Sequence, residues 1–244
     1  MNAIPKNSTN AKNSKSVAII QSNYIPWKGY FDLIAAADVF VIYDDMQYTR
    51  SDWRNRNQIK TRTGMHWLTV PVVMKGRFLQ NIRETEIHGT VWSKKHWRTI
   101  NHNYSKSTYF NEVSDMLESS YMEDHYGSLS AFNTGLIKKI CTYLNIKTVI
   151  RDSSEFIFSG DKSERVLSIA KSIEADRYIT GPSAKAYLDT SIFEKANITV
   201  EWFDYSNYPS YPQAWGDFVH NVSIIDLLFH CGPNSKNYMK FCNN

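Results

Sequence analysis

Residues 43–64 read YDDMQYTRSDWRNRNQIKTRTG: two adjacent carboxylates, Asp44 and Asp45, then Arg50, Arg54, Arg56, Lys60 and Arg62. A carboxylate pair at the end of an apolar run can act as a general base, hold a metal or grip sugar hydroxyls. It can equally cap the turn and pair with Arg54 or Arg56. Arg56 sits between Asn55 and Asn57, and a planar guanidinium recognises carboxylate or phosphate through two parallel bonds. Asn55, Arg56 and Lys60 are therefore substrate-binding candidates, while Arg62 reads as solvated. In KKHWRTINHNY, 94–104, His96 is a candidate for proton transfer near neutral pH; a histidine at the edge of the core is the competing reading. Asp44, Asp45 and His96 make up the catalytic candidates.

A second stretch, IIQSNYIPWKGYFDLI over 19–34, puts Gln21, Asn23, Tyr24, Pro26, Trp27 and Gly29 between a strand-like run and a helix-like one. A corner of this kind needs only a cap and a glycine. The Gln21 amide both donates and accepts, which suits sugar hydroxyls or a base edge. Tyr24 and Trp27 offer stacking faces, and Pro26 holds the turn before any ligand arrives. Gln21, Asn23, Tyr24 and Trp27 are expected to line one pocket with Asp44 and Asp45. Ser183 in GPS, 181–183, stands in a small anion nest or a plain turn. Tyr211 and Gln213 precede a helix that carries Asp226 among apolar neighbours, where a carboxylate needs a partner.

The elements that must position these residues read as α/β. VAIIQ (17–21) and VFVIYDD (39–45) are short apolar runs of the kind buried on both faces. KGYFDLIAAA between them has helical spacing, so the three make a strand–helix–strand unit with parallel strands. WLTVPVV (67–73) is a third candidate strand ending near Pro71, and NIRETEIHG (81–89) a weak fourth. Residues 92–104, 111–120 and 126–144 carry helical patterns and form a helical insert over about 91–145. KTVI, DRYITG and ITVEWFDY return to the sheet, with helices over SGDKSERVLSIAKSIEA, AKAYLDTSIFEKAN and 221–230. The first of these is read as opening without the Glu of a capping box, and Asn221 or Ser223 caps the last. The expected fold is a Rossmann-like doubly wound, mainly parallel sheet in one domain over 17–244, after a polar leader over 1–16 read as disordered. In such sheets ligands sit outside the carboxyl ends of the strands, where the strand order reverses.

Composition narrows the function classes. The net charge of +4 permits an anionic substrate but is not the clustered basic footprint of a dedicated nucleic-acid binder. Aromatic residues reach 14%, a surplus that suits stacking on sugars or bases as well as packing in a core. Three separated cysteines without CxxC spacing suit neither a disulfide framework nor a zinc site, and fit a reducing cytoplasm. No apolar stretch reaches the roughly 18 residues of a membrane span. No GxGxxG, Walker A or GxSxG motif occurs, no metal site is expected, and no cofactor is fixed by a motif.

The segments QSNYIPWKGYFDLIAAADVFVIYDDMQYTRSDWRNRNQIK, WLTVPV, KKHW, YITGPSAKAYLD and YPQAWGDFVHNVSIIDLLFHCGP together resemble the WbqC-like protein family, with Ser22 where that family usually has Pro. The resemblance implies a place in surface polysaccharide, especially O-antigen, assembly. On it rests the expected function: a cytoplasmic transferase that modifies a nucleotide-linked amino sugar, by N-acylation or aminoacylation from an acyl or aminoacyl donor. Aminoacyl-tRNA is one such donor, for which the mild charge gives little support. The alternative is a non-catalytic protein of the same pathway that binds a sugar nucleotide or a partner. A second likeness, to nucleotidylyltransferase-like folds, stops at topology: Trp27-Lys28-Gly29-Tyr30 stands where those enzymes place His-x-Gly-His.

Overall fold

The computed structural model describes residues 14–123 and 127–242. The expected leader lies outside them as far as residue 13, and Ser16 already opens the first strand. In chain order the elements are β1 (Ser16–Ile20), α1 (Lys28–Ala35), β2 (Val39–Ile42), β3 (Arg56–Thr61) and β4 (Gly64–Thr69). Three helices follow, α2 (Val91–Tyr104), α3 (Phe110–Met122) and α4 (Leu129–Tyr143). The chain then alternates through β5 (Val149–Asp152), α5 (Lys162–Ser172), β6 (Arg177–Thr180), α6 (Thr190–Lys195), β7 (Thr199–Trp202) and α7 (Ile224–Cys231).

Five strands form one parallel sheet in the order β5-β2-β1-β6-β7. Its centre is apolar on both faces because helices cover both. Ala18, Phe40 and Ile42 point into a cluster with Leu33 of α1, Phe132 of α4 and Leu228 of α7. Val17, Ile19, Val39 and Val41 point the other way, onto Val166 and Ile169 of α5 and Phe193 of α6. Alternation along each strand thus feeds two cores, the arrangement of a doubly wound α/β sheet. The chain moves outward from β1 through β2 to β5, then crosses back to β6 on the far side of β1. Strand order therefore reverses between β1 and β6.

Two strand readings need correction. Residues 67–73 do not join the main sheet: β4 pairs antiparallel with β3 in a separate hairpin, Arg56 opposite Thr69 and Gln58 opposite Trp67. The hairpin partner is the stretch that read as a basic loop, because its outward side is polar and its inward side, Asn57, Ile59 and Thr61, is only one-third apolar. Residues 81–89 form isolated bridges, Gln47 with Asn81 and Val72 with Ile87, and no strand. The start of α5 carries the capping box that the sequence reading leaves out: Asp161 accepts from the amides of Ser163 and Glu164, and Glu164 accepts from the amide of Asp161. Of the two caps considered for α7, Ser223 is the one used. Among the described residues no helix is long and apolar enough to cross a membrane.

Candidate functional site

A crevice of about 350 Å³ opens at the carboxyl ends of β1, β2 and β6, where the strand order reverses. Gln21 and Arg54 form one wall; Lys162 and Val166 of α5 form another; Gly181, Ser183 and Ala184, from a single 3₁₀ turn after β6, form the third. Tyr43, Tyr178, Tyr187 and Tyr205 also line it. The volume lies within the range of about 300–1,000 Å³ usual for small-molecule sites, and the lining mixes flat rings with two cations. The amides at the start of α5 are taken by Asp161, so an anion here is left to Arg54 and Lys162. The described lining holds no carboxylate and no imidazole.

The turn that leaves β1 is rigid. Ile25 has φ of +34°, a conformation that β-branched residues avoid. Its neighbours hold it there: the Ile25 carbonyl accepts from Asn57 Nδ2 at 2.9 Å and Ser223 Oγ at 2.7 Å, and the Tyr24 amide donates to the Trp53 carbonyl. The Arg54 guanidinium donates to both Asn23 Oδ1 and Gln21 Oε1. Arg54 thereby joins the two polar side chains of the turn and faces the crevice from between them. The sequence reading prefers Arg56, because nothing in its pattern marks that Arg54 lies in the turn before β3 while Arg56 opens the strand.

The expected single pocket is divided. Gln21 lines the crevice, whereas Asn23 and Trp27 line a second pocket on the other side of the turn. Tyr24 is fully buried; its hydroxyl meets His96 Nδ1 and the Tyr121 hydroxyl, both at 2.9 Å. Its ring packs on Phe132 and offers no face to a ligand. His96 is buried in the same cluster, where burial pushes its pKa down to about 4 against the opposing pull of the Thr69 carbonyl. Asp44 is fully buried too, accepting from the Ser22 amide at 2.8 Å and Ser130 Oγ at 2.5 Å. Burial raises its carboxyl pKa although these bonds oppose the shift. It clamps the β1 exit to α4. Asp45 faces elsewhere, onto Arg83, which bonds it twice at 3.1 Å and also holds Asp152. Burial alone would raise the Asp45 pKa, and the bonds from Arg83 and Ser153 outweigh it, so the carboxyl lies below its ordinary value. The arginine paired with Asp45 is thus Arg83, not Arg54 or Arg56, while Asp44 is held by Ser22 and Ser130.

The remaining candidates also separate. Ser183 is on the crevice wall. Arg56 lies over the Trp67 ring at 4.3 Å on the hairpin. Asn55 is buried and donates to the Val70 carbonyl. Lys60 reaches Gln213 Oε1 at 2.9 Å and the Asp217 carbonyl at 2.5 Å, fastening the segment 203–222 to the hairpin. Tyr211 and Gln213 in that segment donate to Asp226 Oδ1 at 2.7 and 2.8 Å, and Tyr104 of α2 donates to Oδ2 at 2.9 Å. This answers the isolated carboxylate of α7. Beside it lies Lys28, only 2% exposed, bonded to the Pro209 carbonyl at 3.0 Å and set over Tyr208, Tyr211 and Phe218. Burial lowers its pKa to about 8, with Asp32 opposing. Its signal in the sequence was a cation in the first turn of a helix, the end where the macrodipole disfavours positive charge.

A family model described as the WbqC-like protein family matches residues 21–238. The uncharacterized protein Rv1507c of Mycobacterium tuberculosis is 50% identical over 228 residues, which cover 93% of this chain and 99% of the relative. No solved structure matches.

Proposed function

We propose, for a chain that belongs to the WbqC-like protein family, that the crevice between β1 and β6 binds a nucleotide-linked amino sugar. We further propose that the protein transfers an acyl or aminoacyl group to the sugar nitrogen in surface polysaccharide assembly. One observation carries the binding reading: two side-chain cations, Arg54 and Lys162, share the switch-point crevice with four tyrosines, Gln21 and Ser183. The cations suit a diphosphate, the rings suit a base, and the amide and hydroxyl suit sugar hydroxyls. The transfer step rests on the family's association with O-antigen genes: the sugar amine attacks the donor's acyl carbonyl, the C–N bond forms as the bond to the thiol of an acyl-CoA or the ribose hydroxyl of an aminoacyl-tRNA breaks, and the amine's proton passes to that leaving group or to solvent.

A specific feature favours the second reading, a non-catalytic sugar-nucleotide-binding protein of the same pathway. The described lining of the crevice has no carboxylate or imidazole to take the amine's proton, and Asp44 and His96 are both buried in bonds of their own. Calorimetric titration with UDP-, dTDP-, GDP- and CMP-linked amino sugars tests the shared part. One of them should bind with affinity reduced about tenfold or more in Arg54→Lys, since a lysine keeps the charge but cannot bridge Gln21 and Asn23. No binding across the panel would remove both readings. Binding followed by N-acylated product with an acyl-CoA or aminoacyl-tRNA supports the transferase; binding without product from any donor supports the second reading.

A further inference from the structure

The second pocket lies across the 21–27 turn from the crevice. It measures about 200 Å³ and is lined by Asn23, Pro26, Trp27, Trp53, Asn57 and Asn221. Three carboxamides and two indoles are an unusual concentration for so small a space, and none of the lining side chains is charged. The floor is fixed. Asn57 donates to the carbonyls of Tyr24 and Ile25 and accepts from the Gln58 amide, so its own groups are committed to the turn. Asn23 accepts from Arg54 through its oxygen, which leaves the NH2 group of that amide as the remaining donor.

The rim is aromatic and exposed. Trp53 and Trp67 are 45% and 39% exposed, their rings 5.6 Å apart, and Arg56 covers the far ring at 4.3 Å. Large exposed indoles cost solvation unless something covers them. On the inner side Trp27 is held at the start of α1 by Tyr205 and Tyr208. The pocket therefore has flat apolar walls, amide donors and acceptors at its edges, and no cation on its floor.

We propose that this pocket is a separate site for a neutral pyranose ring. The apolar C–H face of the sugar lies on Trp53, and its hydroxyls meet Asn23 and Asn221. A pyranose needs both chemistries at once, a flat face and edge amides that donate and accept. A phosphorylated ligand or a nucleic-acid strand would want the cations that the neighbouring crevice holds and this lining lacks. The site is independent of what the crevice binds. Arg54, which lines the crevice and bonds Asn23, is the physical link between the two.

Ligand-observed saturation-transfer NMR on the full chain tests this, using methyl glycosides of glucose, galactose, mannose, fucose and N-acetylglucosamine and, separately, a single-stranded oligoribonucleotide. At least one glycoside should show saturable binding that weakens tenfold or more in Trp53→Ala and severalfold in Asn221→Ala. Both residues are exposed, so both variants should melt as the parent does by circular dichroism; Trp53→Phe should retain part of the affinity. The proposal is overturned if no glycoside binds saturably, or if the glycoside binds both alanine variants as it binds the parent. Oligoribonucleotide binding lost in Trp53→Ala with no glycoside binding would also overturn it and assign the rim to nucleic acid.

Discussion

At the scale of single residues, Lys28 is the most unusual group. A buried amine with one hydrogen bond and three rings around it is costly to charge, and its pKa falls to about 8. The unfolded chain holds this proton up to about pH 10.4. Between the two values the unfolded state binds more protons than the folded one, so this group adds stability as pH rises through 8 towards 10.4. Lys28→Met keeps the length of the side chain and the contact with the rings and removes the titration. Melting temperatures measured from pH 7 to 10 should show the variant gaining on the parent most at pH 7 and least at pH 10. A difference that is constant with pH would show that Lys28 does not carry a depressed pKa. His96 has the same sign of effect in a lower window, losing stability as pH falls from about 6.5 towards 4.

At the scale of elements, the corner between β1 and α1 is built around the Trp27 ring. Gly29 in the first turn of α1 lies against that ring so closely that a Cβ would fall within it. The turn is already pinned at Ile25 by Asn57 and Ser223, so the ring cannot move away freely. Gly29→Ala should therefore cost about 1–3 kcal/mol by overpacking, against the stabilisation of up to about 1 kcal/mol that the same change brings in an ordinary helix. Chemical denaturation measures the cost, and a shifted tryptophan emission would report the displaced ring. A stabilised variant with unchanged emission would mean that the ring has room after all. The rigidity reaches both pockets: they share this turn, so its strain holds Gln21 and Asn23 in place.

At the scale of the whole molecule, the segment 203–222 crosses from the sheet to α7 without regular structure and is held by buried polar ties. Asp226 accepts from Tyr104, Tyr211 and Gln213 and so joins α2, this segment and α7; Lys60 ties the same segment to the hairpin. Asp226→Asn places an NH2 group against the hydroxyl of Tyr104 or Tyr211, each of which donates to the carboxylate, while Gln213 keeps the Val219 carbonyl as an acceptor. The expected loss is about 2–4 kcal/mol, from buried bonds broken and donors left unpaired. Because the segment carries both Tyr205, a crevice residue, and Asn221 of the second pocket, the variant should also weaken binding at both. Urea denaturation compared with the parent gives the first effect; wild-type stability would show that the network is slack.

The sequence by itself determined the parallel sheet. Runs such as VAII and VFVI are apolar at every position, which a strand satisfies only when both faces are covered, and the helical spacing between them supplies the cover. It also put Gln21 and Gly181–Ser183 after strands that the pattern reveals, at the end of the sheet where the crevice opens. It missed β3, because a strand whose inward side includes Asn57 and Thr61 has no apolar alternation to read. That miss hid which arginine faces the crevice: Arg54 lies in the turn before β3 and reaches Gln21 and Asn23, whereas Arg56 opens the strand and stacks on Trp67. Only the tertiary structure decided the fates of Tyr24, Asp44 and His96, which look like site residues in a list but have partners 72, 97 and 86 positions away that bury them. Polar side chains are read from sequence as available; whether they are spent on bonds across the core depends on contacts that only the folded chain brings together.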